Sequence, residues 1–453
     1  MSPFVPLREA RAKELMERHG LDAIVAASPV NIAYLTGYRW WLDPLFKDYM
    51  VNPGGSDELV FPGYAVLPLE GPAILVVSSF LAMNAANLES VELHVFGQLP
   101  LAASPKREGW STPEQRIAEV LSGAQHETPT VALAHALGAR GLHKERLGVE
   151  LGALTYARRD ALAEALPGAA LLDCTNVLRL IRAVKTTDEI ELLATAATIA
   201  EEAVHETLRG ARPGDRLGQL VDEFRTRLAD EGAELDHLLF GASGLGITTN
   251  PSHVLAEDEV ANVDWGCVYE HYYSDAGSTF TMCEPSPGVS QRFESLGSCI
   301  DAGARELVAG ARASETHRAM IDALEASGVH DAFAPSGHGL GLDVRDYPIV
   351  MADNGLRIQD DCVDEPSDLL LEENMVIALE VSQYEPGLGS FNHERVFVVT
   401  DRGGRELIAY DRGQTVHPRA QTGRQTARRR GSSAIHDEKE AGNHTNLPAE
   451  AVV

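Results

Sequence analysis

The chain has 453 residues, 44% of them hydrophobic, with a formal net charge of −29 and a pI near 4.9. This length predicts two domains, and the excess of acids disfavours a nucleic-acid partner, because phosphate binding needs a basic surface. The five cysteines are scattered and form no CxxC pair, which argues against a disulfide framework or zinc ribbon and fits a reducing, cytoplasmic compartment.

The first part of the chain alternates predicted helices and strands. An amphipathic helix is predicted over residues 7–19, followed by a short apolar strand over residues 22–27. A strand pair is predicted on either side of a turn at residues 70–72, and the alternation continues to about residue 176. The longest apolar stretch, residues 71–83, is too short to cross a bilayer, so no membrane partner is expected. The pattern indicates an α/β layout with covering helices.

A long helix marks the predicted boundary between two domains. Thr186 and Glu189 form a capping box at its start, and Gly210 is expected to end it. A second helix is predicted over residues 217–231. Beyond it the pattern changes to short β-branched strands with polar connections, which makes the overall class α/β (α+β).

We therefore predict a first domain at residues 1–178, a second at residues 179–416, and a tail at residues 417–453. The tail starts with an arginine-rich stretch and continues with polar and acidic residues that lack apolar periodicity. That composition predicts disorder. Contact between its arginines and a nucleic acid or another partner is the alternative.

Two aspartates eleven residues apart interrupt a strand-forming segment of the second domain. Asp264 and Asp275 flank a turn-like stretch at residues 269–271, so a β-hairpin would place them on adjacent strands. An acid in an apolar strand is costly to bury unless a cation is nearby. Cation binding is one interpretation of this hairpin, and exposure of both aspartates to solvent is the other.

Three further residues are candidates: two glutamates that repeat this anomaly, and a histidine for which a structural role is the alternative. His338 lies between two glycines, which allow the backbone to approach another group closely. Glu380 interrupts an apolar strand, and Glu394, fourteen residues later, is predicted to open another. Four carboxylates and one imidazole suit divalent ions such as Mn²⁺, Fe²⁺, Co²⁺ or Zn²⁺. So many carboxylates favour two bridged ions, a site that activates water and polarises a carbonyl.

The order of these residues resembles the M24 family of metallopeptidases. Its creatinase/prolidase branch is similar to this chain also in SPVNIAYLTGY near the amino terminus, in RAVKTTDEIELL between the domains, and in FGASGLGITTNPSH. The resemblance implies a creatinase-like amino-terminal α/β domain, a carboxy-terminal pita-bread catalytic domain and a homodimer. Tyr38, Trp40 and Trp41 are candidates for the dimer contact, with burial in the chain's own core as the alternative.

The resemblance also implies roles for individual residues. Glu380 matches the general base for a metal-bound water, and His253 matches a histidine that binds the substrate or steadies its tetrahedral intermediate. An imidazole can donate to a developing oxyanion. Five residues match the metal ligands of the family: Asp264, Asp275, His338, Glu380 and Glu394.

The residues around this ligand set depart from the family pattern. Arg345 replaces a second histidine, Asn392 replaces an arginine, and Arg395 replaces an acid. Gly277 and Ser278 replace a threonine and an arginine. The metal ligands therefore persist while the groups on the substrate side differ.

Arg345 is the departure with the clearest chemical meaning. A guanidinium can grip a carboxylate with two hydrogen bonds, so we expect Arg345 to bind an anionic group of the substrate. An ion pair with Asp343 or Asp346 is the alternative. An acidic insert at residues 351–368 could face a cationic substrate or could simply be solvated.

The leading functional prediction is a metal-dependent hydrolase of Xaa-Pro dipeptidase or aminopeptidase type, acting on a dipeptide substrate. The alternative is a non-peptidase relative acting on a small molecule, either an amidohydrolase similar to creatinase or ectoine hydrolase, or a dimethylsulfoniopropionate-lyase-like enzyme. Trp265 stands where the lyase pattern has an extra acid, which disfavours that branch. A non-catalytic binding protein is disfavoured because all five ligands are present.

Overall fold

The computed structural model describes residues 7–43, 46–47, 60–99, 108–123, 126–242, 244–330 and 332–409. The predicted tail at residues 417–453 lies outside the described residues. The alternation of helix and strand predicted for the first part of the chain and the strand-rich second part are both confirmed. Among the described residues, no helix is long and apolar enough to cross a membrane.

The amino-terminal part is built on a six-stranded mixed sheet with the order β4-β3-β2-β1-β5-β6. Its strands are β1 (Ala23–Ala26), β2 (Tyr64–Pro68), β3 (Ile74–Ser78), β4 (Glu92–Phe96), β5 (Arg146–Val149) and β6 (Ala170–Asp173). Its helices are α1 (Glu9–His19), α2 (Pro29–Thr36), α3 (Thr112–Ser122), α4 (Pro129–Ala139), α5 (Tyr156–Ala165) and α6 (Thr175–Ala183). Strands β2 and β3 form the antiparallel pair predicted around residues 70–72.

The carboxy-terminal part is built on a ten-stranded sheet whose main path runs β13-β12-β16-β17-β11-β9-β7-β8. The main-path strands are β7 (Glu234–Gly241), β8 (Ile247–Thr248), β9 (Val260–Tyr269), β11 (Ala276–Thr281), β12 (Ser336–Gly339), β13 (Asp346–Val350), β16 (Val376–Glu385) and β17 (Gly389–Val399). Two short strands join this sheet at its margins: β10 (Tyr272–Tyr273) and β18 (Gly404–Glu406).

Four helices cover one face of this sheet. They are α7 (Thr187–Gly210), α8 (Leu217–Asp230), α9 (Pro287–Glu306) and α10 (Ala313–Ala326). The first two pack on β9 and β7, and α9 packs on β16 and β17. The predicted capping box is confirmed, since Thr186 and Glu189 bond to each other's backbone N–H groups. The opposite face of the sheet is left for the polar residues described below.

The strand that carries Glu394 differs from its prediction. β17 begins at Gly389, so Glu394 lies in the middle of the strand instead of opening it. The reason is that β16 and β17 form a long hairpin whose ladder includes the polar residues before Glu394. Backbone pairing therefore extends the strand beyond its apolar segment.

A buried ion pair joins the amino-terminal part to the large sheet. Arg182, at the end of α6, donates to Asp346 Oδ2 from Nε (3.1 Å) and Nη2 (3.0 Å). The same guanidinium donates to Asp343 Oδ2 (2.5 Å) and to Asn31 Oδ1 (2.6 Å). Asp346 opens β13, the strand that pairs with β12. The orientation of the amino-terminal part is thus coupled directly to the edge of the large sheet.

The acidic insert at residues 351–368 forms a small hairpin of β14 (Arg357–Gln359) and β15 (Asp364–Pro366). Two of its acids bind the amino-terminal part: Asp360 accepts from the backbone N–H of Asn176, and Asp361 accepts from that of Asp173. These two carboxylates therefore accept hydrogen bonds from the backbone. They match neither sequence interpretation, which had the acids either solvated or facing a cationic substrate.

Two of the aromatic residues proposed for a dimer contact lie in the chain's own core. Tyr38 and Trp41 are buried and stack edge to face, with ring centroids 4.8 Å apart. Trp40 is partly buried. For Tyr38 and Trp41, the structure therefore supports burial in the chain's own core, the alternative to a dimer contact.

Candidate metal centre

The register of the large sheet aligns the strand-embedded acids in one row. Ser336 pairs with Glu380, Glu380 with Glu394, and Glu394 with Gly277. Gly277 pairs in turn with Asp264. Residues paired across neighbouring strands project from the same face of a sheet. The side chains of Glu380, Glu394 and Asp264, which we call the acid row, therefore project from the face opposite the helices.

Asp275 and His338 join the acid row from adjacent positions. Asp275 precedes Gly277 by two residues and His338 follows Ser336 by two, so alternation places both on the same face. His338 Nε2 lies 3.4 Å from Asp275 Oδ2. Ligand atoms of Asp275, His338 and Glu394 all lie within 4.8 Å of one another, and these three residues are buried. The structure thus brings the five predicted metal ligands to one face of the sheet.

His237 is a member of this cluster that the sequence did not reveal. Its Nε2 lies 2.9 Å from Asp264 Oδ1 and 3.6 Å from Asp275 Oδ1, while Nδ1 lies 2.8 Å from Asp236 Oδ2. His237, Asp264 and Asp275 also form a group with ligand-atom spacing suited to one ion. A histidine held by a carboxylate on its far nitrogen is the usual arrangement around protein metals.

The burial of several carboxylates close together in this cluster favours binding of a cation. Burial and then the charge of Asp264 raise the pKa of Asp275 to about 8. Burial, followed by the charges of Asp275 and Asp264, raises the pKa of Glu394 well above its ordinary value. Burial lowers the pKa of His338, which favours the neutral imidazole that binds metals. Divalent ions fit this donor set, because they would offset the repulsion among the carboxylates.

His253 is placed apart from the cluster. Its ring packs against Phe240, with centroids 6.4 Å apart, and its Nε2 lies 3.6 Å from Glu259 Oε2. Phe240 follows Leu239, the partner of Asp264 on β7, so Phe240 faces the helices. The structure therefore does not bring His253 to the acid row.

Arg345, in contrast, lies at the acid row. Its Nη2 is 4.0 Å from Glu380 Oε1, and its side chain is 68% exposed. The alternative ion pairs with Asp343 and Asp346 are made by Arg182 instead. Glu380 Oε1 also accepts a hydrogen bond of 3.0 Å from Ser336 Oγ. An exposed guanidinium beside this carboxylate can bind an anionic group in the site.

A cavity of about 760 Å³ opens beside Glu380. Its lining includes Ser336, Ser382 and Tyr384, together with apolar side chains on the loop at residues 244–247 and Phe333. The volume suits a dipeptide-sized molecule. The acid row thus has a space in which a substrate could meet it.

Comparison with known sequences decides the family. Residues 191–401 match the family model described as metallopeptidase family M24, and residues 8–184 match that of the creatinase/prolidase N-terminal domain. Residues 191–401 belong to metallopeptidase family M24. The resemblance to its creatinase/prolidase branch is confirmed, and so is the predicted fold of a creatinase-like domain followed by a pita-bread domain.

Individual known proteins are similar to the chain at low identity. The chain is 23% identical to the Xaa-Pro dipeptidase of Pyrococcus furiosus over 412 residues, 88% of this chain and 97% of that one. It is 27% identical to the uncharacterized peptidase YqhT of Bacillus subtilis over 271 residues, 58% and 72% of the two chains. The crystal structure of X-Pro aminopeptidase from Thermotoga maritima matches with a TM-score of 0.65 and 16% identity. The match covers 91% of this chain and 99% of that chain.

Proposed function

We propose that this M24 protein is a divalent-metal-dependent hydrolase that cleaves the C–N bond of an Xaa-Pro dipeptide or a similar substrate. The observation that carries the proposal is the gathering of the acid row, Asp275 and His338 on one face of the sheet, with a cavity that opens beside Glu380. Xaa-Pro dipeptidases among the relatives support the substrate class. A homodimer, which the resemblance to the creatinase/prolidase branch implies, is a further proposal.

Five residues would hold two ions of Mn²⁺, Fe²⁺, Co²⁺ or Zn²⁺: Asp264, Asp275, His338, Glu380 and Glu394. Bound ions of this kind supply Lewis acidity and lower the pKa of a coordinated water. His237 would orient Asp264 through its hydrogen bond, and Asp236 would in turn hold His237. This chain of contacts fixes the direction of one carboxylate toward the centre.

Glu380 is the residue that we assign to proton transfer. Ser336 Oγ donates to its Oε1, and Arg345 lies close to the same oxygen, so both groups orient the carboxylate that would accept the proton. The guanidinium of Arg345 would bind the free carboxylate of the substrate. His253 has no part in this proposal, because it packs on the helical face with Phe240.

A small-molecule amide hydrolase is the second candidate. The residues bordering the acid row favour it, since Arg345, Asn392 and Gly277 replace groups that the peptidase pattern supplies on the substrate side. The metal ligands serve either function. The two candidates differ in the substrate alone.

The test combines metal analysis with a substrate panel. The purified protein is stripped with a chelator, reloaded separately with each of the four ions, and assayed with Leu-Pro, Leu-Gly and small amides. Bound metal and turnover of Leu-Pro over Leu-Gly are expected. Metal binding with turnover of amides alone would favour the second candidate, and failure to bind any of the ions would refute both.

We further propose that the chain divides near residue 178 and functions in the cytoplasm. The division is supported by the two family matches, which meet between residues 184 and 191. Limited proteolysis of the purified protein tests it, since cleavage should leave the two parts as separate fragments of the predicted sizes.

A further inference from the structure

A second row of side chains runs parallel to the acid row, two residues further along each strand. Ser382 pairs with Asn392 across β16 and β17, and Asn262 pairs with Thr279 across β9 and β11. Two residues along a strand correspond to about 7 Å. Asn262, Ser382 and Asn392, which we call the amide row, therefore project beside the acid row on the same face.

Hydrogen bonds tie the amide row to the cavity. Ser382 Oγ donates to Asn392 Oδ1 at 3.1 Å. Asn262 Nδ2 lies 3.4 Å from Ser382 Oγ and 3.3 Å from the hydroxyl of Tyr384, and donates to both. The other end of this amide, Asn262 Oδ1, is buried and has no hydrogen-bond partner among the described residues. A buried acceptor without a donor is unfavourable, so a donor brought by a ligand would stabilise it.

Gly277 creates the room for Asn392. A Cβ atom on Gly277 would lie 1.9 Å from Asn392 Nδ2 and 3.1 Å from Glu394 Oε2. Asn392 is buried, and its backbone N–H donates to Thr279 Oγ1 at 3.1 Å. The missing side chain at residue 277 therefore lets the Asn392 amide lie directly beside the acid row.

The cavity reaches the amide row at Ser382 and is uncharged apart from Glu380. Among the described residues that line it, Glu380 is the one charged side chain, and Ser382 and Tyr384 belong to its polar part. Three apolar side chains stand at its rim with high exposure: Leu245 (80%), Phe333 (61%) and Ile247 (51%). Apolar groups so exposed around a cavity indicate that a ligand covers them.

We infer that the amide row binds an uncharged hydrogen-bonding group of the substrate, an amide or a hydroxyl, attached to an apolar group that contacts the rim, and that Asn392 is a specificity-determining residue. The inference rests on the proposed function in taking the acid row as the reaction centre. An amide offers both a donor and an acceptor, as the row requires. A carboxylate or ammonium would be desolvated there without an opposite charge from the row.

Two ligands of equal shape test the inference: isovaleramide and isovalerate share one apolar tail and differ in charge. Their dissociation constants are measured by ligand-observed NMR on protein loaded with Zn²⁺. We expect Asn392→Ala and Ser382→Ala each to weaken isovaleramide roughly fivefold to tenfold, as the loss of one hydrogen bond predicts, and to change isovalerate less than twofold. Ser298→Ala, on the exposed side of α9, is the matched control and should change neither.

Gly277→Ala separates binding from folding. The new methyl group should displace Asn392, lowering both the melting temperature and the affinity for isovaleramide. Adding Asn392→Ala removes the clash, so the double variant should regain its melting temperature without regaining affinity. Equal weakening of both ligands in the Asn392 and Ser382 variants, or no binding of isovaleramide to the unmodified protein, would overturn the inference. Failure to bind Zn²⁺ at all would instead refute the proposed function.

Discussion

Removal of the carboxylate of Asp346 should destabilise the protein far more than removal of the neighbouring one at Asp343. Asp346→Asn would leave the guanidinium of Arg182, only 4% exposed, without the partner that accepts two of its hydrogen bonds. Breaking a buried pair in this way costs about 3–5 kcal/mol. Asp343 is 45% exposed and receives one hydrogen bond from the same guanidinium, so Asp343→Asn should cost about 1 kcal/mol or less.

The two variants remove the same charge, which makes them a matched pair. The free energy of unfolding is measured from urea transitions followed by tryptophan fluorescence. The pH dependence gives a second readout. Burial alone would raise the pKa of Asp346, but Arg182 and then Lys185 outweigh it and hold the pKa below its ordinary value. This stabilisation is therefore full above the unfolded pKa of about 4 and is lost as the pH falls through the lower folded value.

The unmodified protein should thus lose stability between pH 5 and pH 2 more steeply than Asp346→Asn does. Equal destabilisation by the two variants, or parallel pH profiles for Asp346→Asn and the unmodified protein, would refute the assignment of this ion pair. Because Asp346 opens the strand beside β12, the same variant should also weaken metal binding, measured by competition with a chelator.

Three further predictions concern the centre itself. His237→Gln should weaken metal binding by about 10- to 100-fold in a chelator competition, because Asp264 loses its orienting partner; unchanged affinity would argue against that role. Glu380→Gln should lower kcat by about 10²- to 10⁴-fold, and a rate that stays the same would assign proton transfer elsewhere. Arg345→Met should raise KM for a substrate with a free carboxylate by about 10- to 100-fold, with no change for its amidated analogue and none in melting temperature.

Local patterns in the sequence were sufficient for much of the fold. The Thr186–Glu189 capping box and the change from helix to strand periodicity depend on neighbouring residues, so a single sequence reveals them. The start of β17 was predicted too late because its first residues are held by pairing with β16, which no local pattern records.

In the candidate site, too, local sequence patterns revealed some residues, and others became visible only through the pairing of strands. Asp264, Glu380 and Glu394 stood out because each is an acid inside an apolar strand. His237 did not, since one histidine in a short strand is unremarkable until the pairing of β7 with β9 places it beside Asp264. His253 was assigned a role by resemblance, and in the structure its ring lies beside Phe240 instead of in the acid row.

The alignment of the acid row has a consequence for how activity can be lost. Leu379 and Val381 flank Glu380 and are buried beneath the helices, so a shift of one residue between β16 and β17 would drive the glutamate into the apolar layer and expose its neighbours. A chain with misaligned strands would lose the packing of its apolar core and the alignment of its predicted metal ligands together. The strand register that packs the core is therefore the same register that aligns the acid row. A molecule that folds with its core correctly packed also has these carboxylates in place.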